Sequence, residues 1–344
     1  MATLGSNYLT LIDLYKRREG EDQQIASVIE LLKQQNPILD DAIAMECNMG
    51  TIHRHTIRTG LPSVSWGMLY KGTPQSKSQT QQVDDTTGFL EAMAAVDTRL
   101  LQLSANEGAL RLSEATSFLE AMNQEMATGI FYHDTATSPE KFKGLAARYN
   151  VYASGANNQG AENQVIHGGG SGSDNTSIWF VTWGEQYTSL LYPKGTKAGV
   201  DRKDMGEQRV TDGAGNPFYV KEEKFTWHIG MAVKDWRYNA RIANIDVSDA
   251  TAGNVALYKL MTQAYYRLQN RRVAGGKQAI YMNRTMLEAL DLISSKQTGG
   301  TGENGALRLT RSEIEGKEVL SWRGIPIRET DALVNTEALV PAAA

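Results

Sequence analysis

Residues 224–246, KFTWHIGMAVKDWRYNARIANID, constrain the fold more than any other stretch of the chain. Phe225, Trp227, Ile229, Met231 and Val233 alternate with Thr226, His228, Gly230 and Ala232. That two-residue period belongs to a strand with one buried face. Past Lys234 the phase slips by one, and Trp236, Tyr238, Ala240 and Ile242 become the apolar set. A single slip reads as a β-bulge or sharp bend at Lys234–Asp235 rather than a break. Roughly eighteen strand residues at ~3.3 Å each span ~60 Å. A compact chain of 344 residues has a diameter of roughly 50 Å. The strand is as long as such a globule is wide, so the chain is expected to be thin and extended and to complete its burial against neighbours.

Composition narrows the class. The chain is 41% hydrophobic, enough for a core, and carries 35 basic against 39 acidic residues for a net charge of −4. A dedicated nucleic-acid binder shows a basic excess instead. Cys47 is the single cysteine, which excludes an intramolecular disulfide and fits a reducing compartment. The first residues, MATLGSNYLTLIDLYKRR, lack the basic start and apolar run of a signal peptide. No run approaches a membrane span, so no membrane partner is expected.

Taken in order, residues 1–50 read as an arm. Ile25, Val28, Ile29 and Leu32 have helical spacing over 22–36; Pro37 ends that helix, and Ile38, Leu39, Ile43 and Met45 suggest a second short one. Residues 51–90 read as a projecting hairpin, with a strand over Ser63–Leu69 and a polar tip over Gly72–Thr87. A lone hairpin is marginal in water. Within 91–150 the spacing of Leu112, Ala115, Leu119, Met122, Met126 and Ile130 predicts a helix over 107–132, ~39 Å long, with Ser104 and Glu107 as a capping box. Residues 151–250 carry a buried strand at Ser177–Trp183, a partner at Tyr187–Tyr192, a polar loop over Gly195–Pro217 and the long strand. Residues 251–344 alternate helix and strand: a stripe Leu257, Leu260, Met261, Ala264 and Leu268, a strand at Ala279–Met282, a helix capped by Asn283, and closing strands at Glu318–Trp322 and Gly324–Arg328.

Sites for chemistry are sparse. Gly300, Gly302 and Gly305 match a dinucleotide pattern, but without the strand before and helix after that it requires. His167-Gly168-Gly169-Gly170 resembles an esterase oxyanion loop without the Gly-x-Ser-x-Gly elbow that must accompany it. His53 and His55 alternate on one strand, short of the three or four convergent ligands a metal needs; they read as solvated. Asp40-Asp41, Asp84-Asp85 and Glu222-Glu223 read as exposed turns or faces, not acid/base pairs. No catalytic residue, cofactor or metal site is assigned, and the chain is not expected to be an enzyme. The candidate contact residues are Arg54, Arg58, Trp66, Lys71 and Lys77 on the hairpin. The basic set is either solvated or meets an acidic neighbour, and Trp66 is either an interface anchor or packed on its own body.

The order of parts resembles the Hong Kong 97-type major capsid protein of tailed bacteriophages, an α+β fold. Local wording is similar to the head proteins of short-tailed phages: Thr59-Gly60-Leu61-Pro62-Ser63-Val64-Ser65-Trp66, Phe142-Lys143-Gly144-Leu145, Tyr192-Pro193-Lys194-Gly195, Asp235-Trp236-Arg237-Tyr238, Arg241-Ile242-Ala243-Asn244-Ile245-Asp246 and Gly324-Ile325-Pro326-Ile327-Arg328. The resemblance implies an N-terminal arm over 1–50, an extended loop over 51–90 and a peripheral domain with a spine helix over 91–150. A long-stranded sheet over 151–250 would be split between peripheral and axial domains, with an axial domain and closing strands over 251–344. It implies self-assembly as hexamers and pentamers into an icosahedral head. The shell would enclose double-stranded DNA without sequence-specific binding, with separate scaffolding, portal and decoration proteins, in a virion assembled in the bacterial cytoplasm. Some members cross-link Lys to Asn, but Lys71 and Lys77 match no motif for it. A nanocompartment shell of the same fold, similar to encapsulins, is the alternative; a soluble α/β enzyme on 251–330 is a third reading.

Overall fold

A computed structural model describes residues 18–19, 24–25, 34–104, 106–153, 160–271, 275–296, 310–314 and 317–343. β1 (Arg18–Glu19) and β2 (Gln24–Ile25) form a short antiparallel pair. The rest of the helix expected over 22–36, up to residue 33, lies outside the described residues, as does Gly300-x-Gly302-x-x-Gly305. Pro37 leads into a single turn, α1 (Ile38–Asp41), and Ala44–Glu46 is a strand, β3, not more helix.

β4 (Ile52–Gly60) and β5 (Gln79–Asp97) are the antiparallel hairpin. β5 has 19 residues, ~60 Å of strand, which matches the expected diameter of a compact chain. Only its second half, Thr87–Asp97, pairs with the body, against Val220–Gly230 of β10 (Pro217–Val233). The first half pairs with β4 alone, so β4 and residues 79–86 project as a two-stranded ribbon. Where the ribbon leaves the sheet the backbones are crowded. A Cβ on Gly230 would sit 2.7 Å from the Thr86 carbonyl, and one on Gly88 would sit 2.7 Å from that of Glu140.

After α2 (Thr98–Gln102), α3 (Glu107–Tyr132) has the limits its periodicity predicts. Its N-cap is Asn106, whose Oδ1 accepts from Ala109 N at 3.1 Å, so the Ser104 capping box is not used. Ala115 and Met122 pack on Phe225 and Ala94 of the β5–β10 sheet, with Leu90, Ala92 and Trp227 beside them. Leu112 and Leu119 of the expected stripe face outward.

β10 carries the predicted alternation, with Phe225, Ile229 and Met231 buried, but the strand stops at Val233. Asp235 Oδ1 accepts from Arg237 N at 3.0 Å and caps a 3-10 turn, Trp236–Tyr238. β11 (Ala240–Asp246) then joins a different part of the sheet. The phase slip is therefore a break, not a bulge. The expected loop over 195–217 also contains a strand, β9 (Val200–Thr211), paired along β10; its residues are nearly all exposed, so no apolar period marks it.

The central sheet carries two cores. β7 (Asn175–Trp183) lies beside β11 and β12 (Lys277–Met282) and is buried on both faces, as a strand with both faces covered must be. One face places Trp179, Val181 and Trp183 against Phe131, Phe142 and Tyr281. The other places Ile178 and Phe180 against Met261 of α5 (Leu257–Arg267) and Met286 and Leu290 of α6 (Arg284–Lys296). Asn283 caps α6 as expected, its Oδ1 accepting from Met286 N at 2.9 Å. β6 (Val165–His167), β8 (Thr188–Tyr192), α4 (Val247–Ala252), β13 (Thr310–Ile314), β14 (Lys317–Trp322) and β15 (Ile325–Glu329) complete the unit.

The chain end is locked into this unit. Arg241 Nη2 donates to Glu337 Oε2 at 2.8 Å, with both side chains 4% exposed. Ser177 Oγ also donates to Glu337 Oε2, and Tyr132 OH donates to Oε1 at 2.5 Å. Burial, with the charge of Glu337, drives the Tyr132 hydroxyl far above its ordinary pKa, so it stays a donor. Arg241 Nη1 donates to the Tyr149 carbonyl at 3.0 Å. The Asn244 side chain pairs with both backbone groups of Val340, at 2.8 and 2.9 Å.

Candidate intersubunit interface

The ribbon ends in residues 61–78, which form neither strand nor helix, and every residue from 61 to 77 is exposed. The expected strand over 63–69 does not form, and the polar tip expected over Gly72–Thr87 gives way to β5 from Gln79. Few bonds hold the tip: Lys71 N donates to the Met68 carbonyl at 3.2 Å and Ser76 Oγ to the Ser63 carbonyl at 2.8 Å. Trp66 is 99% exposed, Val64 94% and Leu69 90%, and Leu61, Met68 and Tyr70 are also exposed. Trp66 does not pack on its own body. Scattered exposed apolar residues are ordinary; so many within ten residues of one loop make a patch of the kind that marks an interaction surface.

The other candidates are spread along the ribbon. Lys71 and Lys77 lie in the exposed tip with Trp66. Arg54, on β4, is engaged within the ribbon: Nε and Nη2 donate to the two carboxylate oxygens of Asp84, each at 2.7 Å. That bond holds the Asp84 carboxyl below the usual range. Arg58, further out on β4, is exposed. Tip and ribbon thus separate two characters, apolar with Lys71 and Lys77 at the end and paired charge below.

The root of the ribbon holds residues that sequence reasoning placed in solvent. His53 and Asp85 are buried, and the rings of His53 and His55 stack with centroids 6.2 Å apart. Arg148 Nη2 donates to Asp85 Oδ1 at 2.6 Å and to the Met231 carbonyl at 3.0 Å, tying the ribbon to the body. His55 Nδ1 lies 3.7 Å from Asp85 Oδ2. Burial lowers the pKa of both imidazoles; Lys234 adds to the effect on both, and Arg148 on His55, while Asp85 opposes it. Both rings are held neutral. The paired acids also differ from expectation, since Glu223 is buried between Arg111 at 2.6 Å and Arg202 at 2.6 Å. A charge run does not reveal such partners, because Asp85 and Arg148 are 63 residues apart. The alternation of His53 and His55 on one strand is the signal in the sequence for a shared face there, and that face is turned inward.

Among the described residues, no three His, Cys, Asp or Glu side chains are grouped to hold a metal. No helix there is long and apolar enough to cross a membrane.

The geometry is an exposed apolar tip on a long ribbon, a long helix across a long-stranded sheet, and a compact α/β unit. It has counterparts among known proteins. No curated protein sequence matches the chain. A solved structure of bacteriophage epsilon15 superposes with a TM-score of 0.74 at 33% identity, covering 100% of both chains. More distant are the capsid of a native GTA particle, 10% identical with a TM-score of 0.45 over 66% of this chain and 94% of that one, and the encapsulin SrpI of Synechococcus elongatus, 12% identical with a TM-score of 0.44 over 69% and 97%. Residues 20–341 match the family described as major capsid protein GP7. The chain belongs to that family, with the Hong Kong 97-type fold, and is a structural protein of a phage head rather than an enzyme.

Proposed function

We propose that copies of this chain close into an icosahedral head as hexamers and pentamers, each ribbon tip seated on an adjacent copy. The observation that carries this reading is the tip itself. Its apolar side chains are left largely exposed by their own subunit, and a buried side chain of this size is worth ~1.5–3 kcal/mol. Seating several offsets much of the ~4–15 kcal/mol cost of association. Trp66 is the anchor, with Lys71 and Lys77 as charged contacts around it; Arg58 is a charged contact on the ribbon, and Arg54 serves by stiffening the ribbon through Asp84.

The domain division follows the same logic. Residues 1–50 act as the arm, 51–90 as the extended loop, and 91–150 as the peripheral part built on α3. Residues 151–250 are shared between parts, and 251–344 form the axial part with its closing strands. The core formed by α5, α6 and β12 supports this last assignment. The head encloses double-stranded DNA held without sequence-specific contacts, as suits a net charge of −4. Separate scaffolding, portal and decoration proteins act with it, and the virion is assembled in the bacterial cytoplasm.

Replacing residues 61–78 by a short Asn-Gly turn tests the proposal. The deletion leaves every strand intact. The subunit should keep its melting temperature and form no shells by sedimentation or negative-stain microscopy. Normal shells from this variant refute the docking role of the tip.

A further inference from the structure

A cleft of about 720 Å³ lies beside the ribbon, away from its tip. Residues 55–59 of β4 line one wall; Gln186 and the turn Lys234–Arg237 line the other. Consecutive strand residues point to opposite faces, so five in a row line one cleft only where it runs along the strand's edge. Among the described residues that edge is open, since β4 pairs there with β5 alone. The backbone of Arg54 shows its direction: its N–H donates to Asn48 Oδ1 at 2.9 Å and its carbonyl accepts from Asn48 Nδ2 at 2.7 Å, both on the side away from β5. The two-residue repeat of an antiparallel ladder turns the N–H and C=O of Thr56 and Arg58 to the same side. Asn48 thus stands where the first residue of a further strand would, and among the described residues no strand pairs with the positions beyond it.

The cleft is also cationic. Arg237 is paired with Asp235 at 2.7 Å. Among the described residues no carboxylate lies within ion-pair distance of Arg58 or Lys234. A charged residue on an edge commonly serves to block unwanted pairing, and Arg58 by itself fits that role. Lys234 does not. It sits across the cleft from the edge and is partly buried, and that burial lowers the pKa of its ammonium, opposed only by the field of Glu185. A guard against pairing has no need of a desolvated cation on the far wall; a carboxylate-bearing strand does.

We propose that the open edge of β4 accepts an extended, carboxylate-bearing segment of a second copy as an added strand, with an acidic side chain seated between Arg58 and Lys234. This rests on the shell reading above, which supplies the second copy. Added strands of this kind take their affinity from main-chain hydrogen bonds and their selectivity from side-chain pockets. Packaged DNA is the poorer fit. It has no backbone amides to pair with a strand edge.

The test compares unassembled full-length subunits with assembled shells, using an equal mixture of 15N-labelled and unlabelled subunits. Lysines are acetylated, or coupled to carboxylates by a zero-length carbodiimide reagent, and the peptides are read by mass spectrometry. Assembly should lower acetylation of Lys234 by about tenfold. Carbodiimide should join Lys234 to an Asp or Glu in mixed-isotope pairs, which only two different subunits produce. The Lys234→Gln variant should lose that product. Equal acetylation in shells and free subunits overturns the proposal, as does coupling confined to single-isotope pairs. Protection that appears only in DNA-filled shells, and not in empty ones, assigns the cleft to nucleic acid and overturns it too. In each of those cases the shells themselves form, so the shell reading stands. A chain that forms no shells at all overturns both.

Discussion

The buried pair Arg241–Glu337 yields the sharpest energetic prediction. Its two side chains are each 4% exposed, and Glu337 also accepts from Tyr132 and Ser177. Removing one partner of a buried pair leaves an uncompensated charge and costs about 3–5 kcal/mol. Glu337→Leu should sit at the upper end of that range, because it strands Arg241 and also leaves Tyr132 and Ser177 without an acceptor there. Arg241→Met should sit at the lower end, since Glu337 keeps both hydroxyl donors. Replacing both by apolar residues of similar volume removes the charge problem altogether, and such exchanges are often close to neutral. The double variant should therefore be more stable than Glu337→Leu alone, with a coupling of about 2–3 kcal/mol.

At ~2.1 cal/mol/K per residue the unfolding entropy of this chain is ~0.7 kcal/mol/K, so a loss of about 4 kcal/mol lowers Tm by ~6 °C. Calorimetry and urea titration of the soluble subunit measure both quantities. Limited proteolysis adds a local readout: Glu337 pins the terminal segment that Asn244 holds at Val340, so Glu337→Leu should expose that segment to cleavage first. Single-variant losses below about 1 kcal/mol, or losses that simply add in the double variant, refute the reasoning.

Trp66→Ser combined with Leu69→Ser should leave the subunit's melting temperature within about 2 °C, since neither side chain is buried at home, and should suppress shell formation in a sedimentation assay. The folded pKa values of His53 and His55 lie below their unfolded values, so the unfolded chain binds more protons in between. Stability is complete above the unfolded value near 6.5 and falls as pH drops through it toward the folded values. The double variant His53→Gln, His55→Gln should melt with a weaker pH dependence between about pH 7.5 and 5. Gly230→Ala places a methyl 2.7 Å from the Thr86 carbonyl and should cost about 1–3 kcal/mol by urea titration. Alanine at Gly67, where nothing lies within 4 Å, should cost far less.

The parts of the fold that were legible in the sequence are those whose burial is local and one-sided. α3 keeps its predicted limits because Ala115, Met122, Met126 and Ile130 meet the chain's own sheet at helical spacing. β7 reads as a continuous apolar run because both of its faces are covered. Three parts misled. At Lys234 a bulge and a break shift the alternation by the same single residue, and only the Asp235 cap, a tertiary outcome, decides between them. β9 carries no period because neither of its faces is buried within this chain. At the tip, Val64, Trp66 and Met68 alternate as a strand would, yet among the described residues no partner strand lies beside them. In a self-sufficient subunit, alternation without burial would be a misfit between pattern and fold. In the docking proposed above, the same alternation describes a contact whose other half belongs to an adjacent copy. On that proposal the tip's pattern answers to a neighbour's surface, which is why a reading of one chain alone misplaces it.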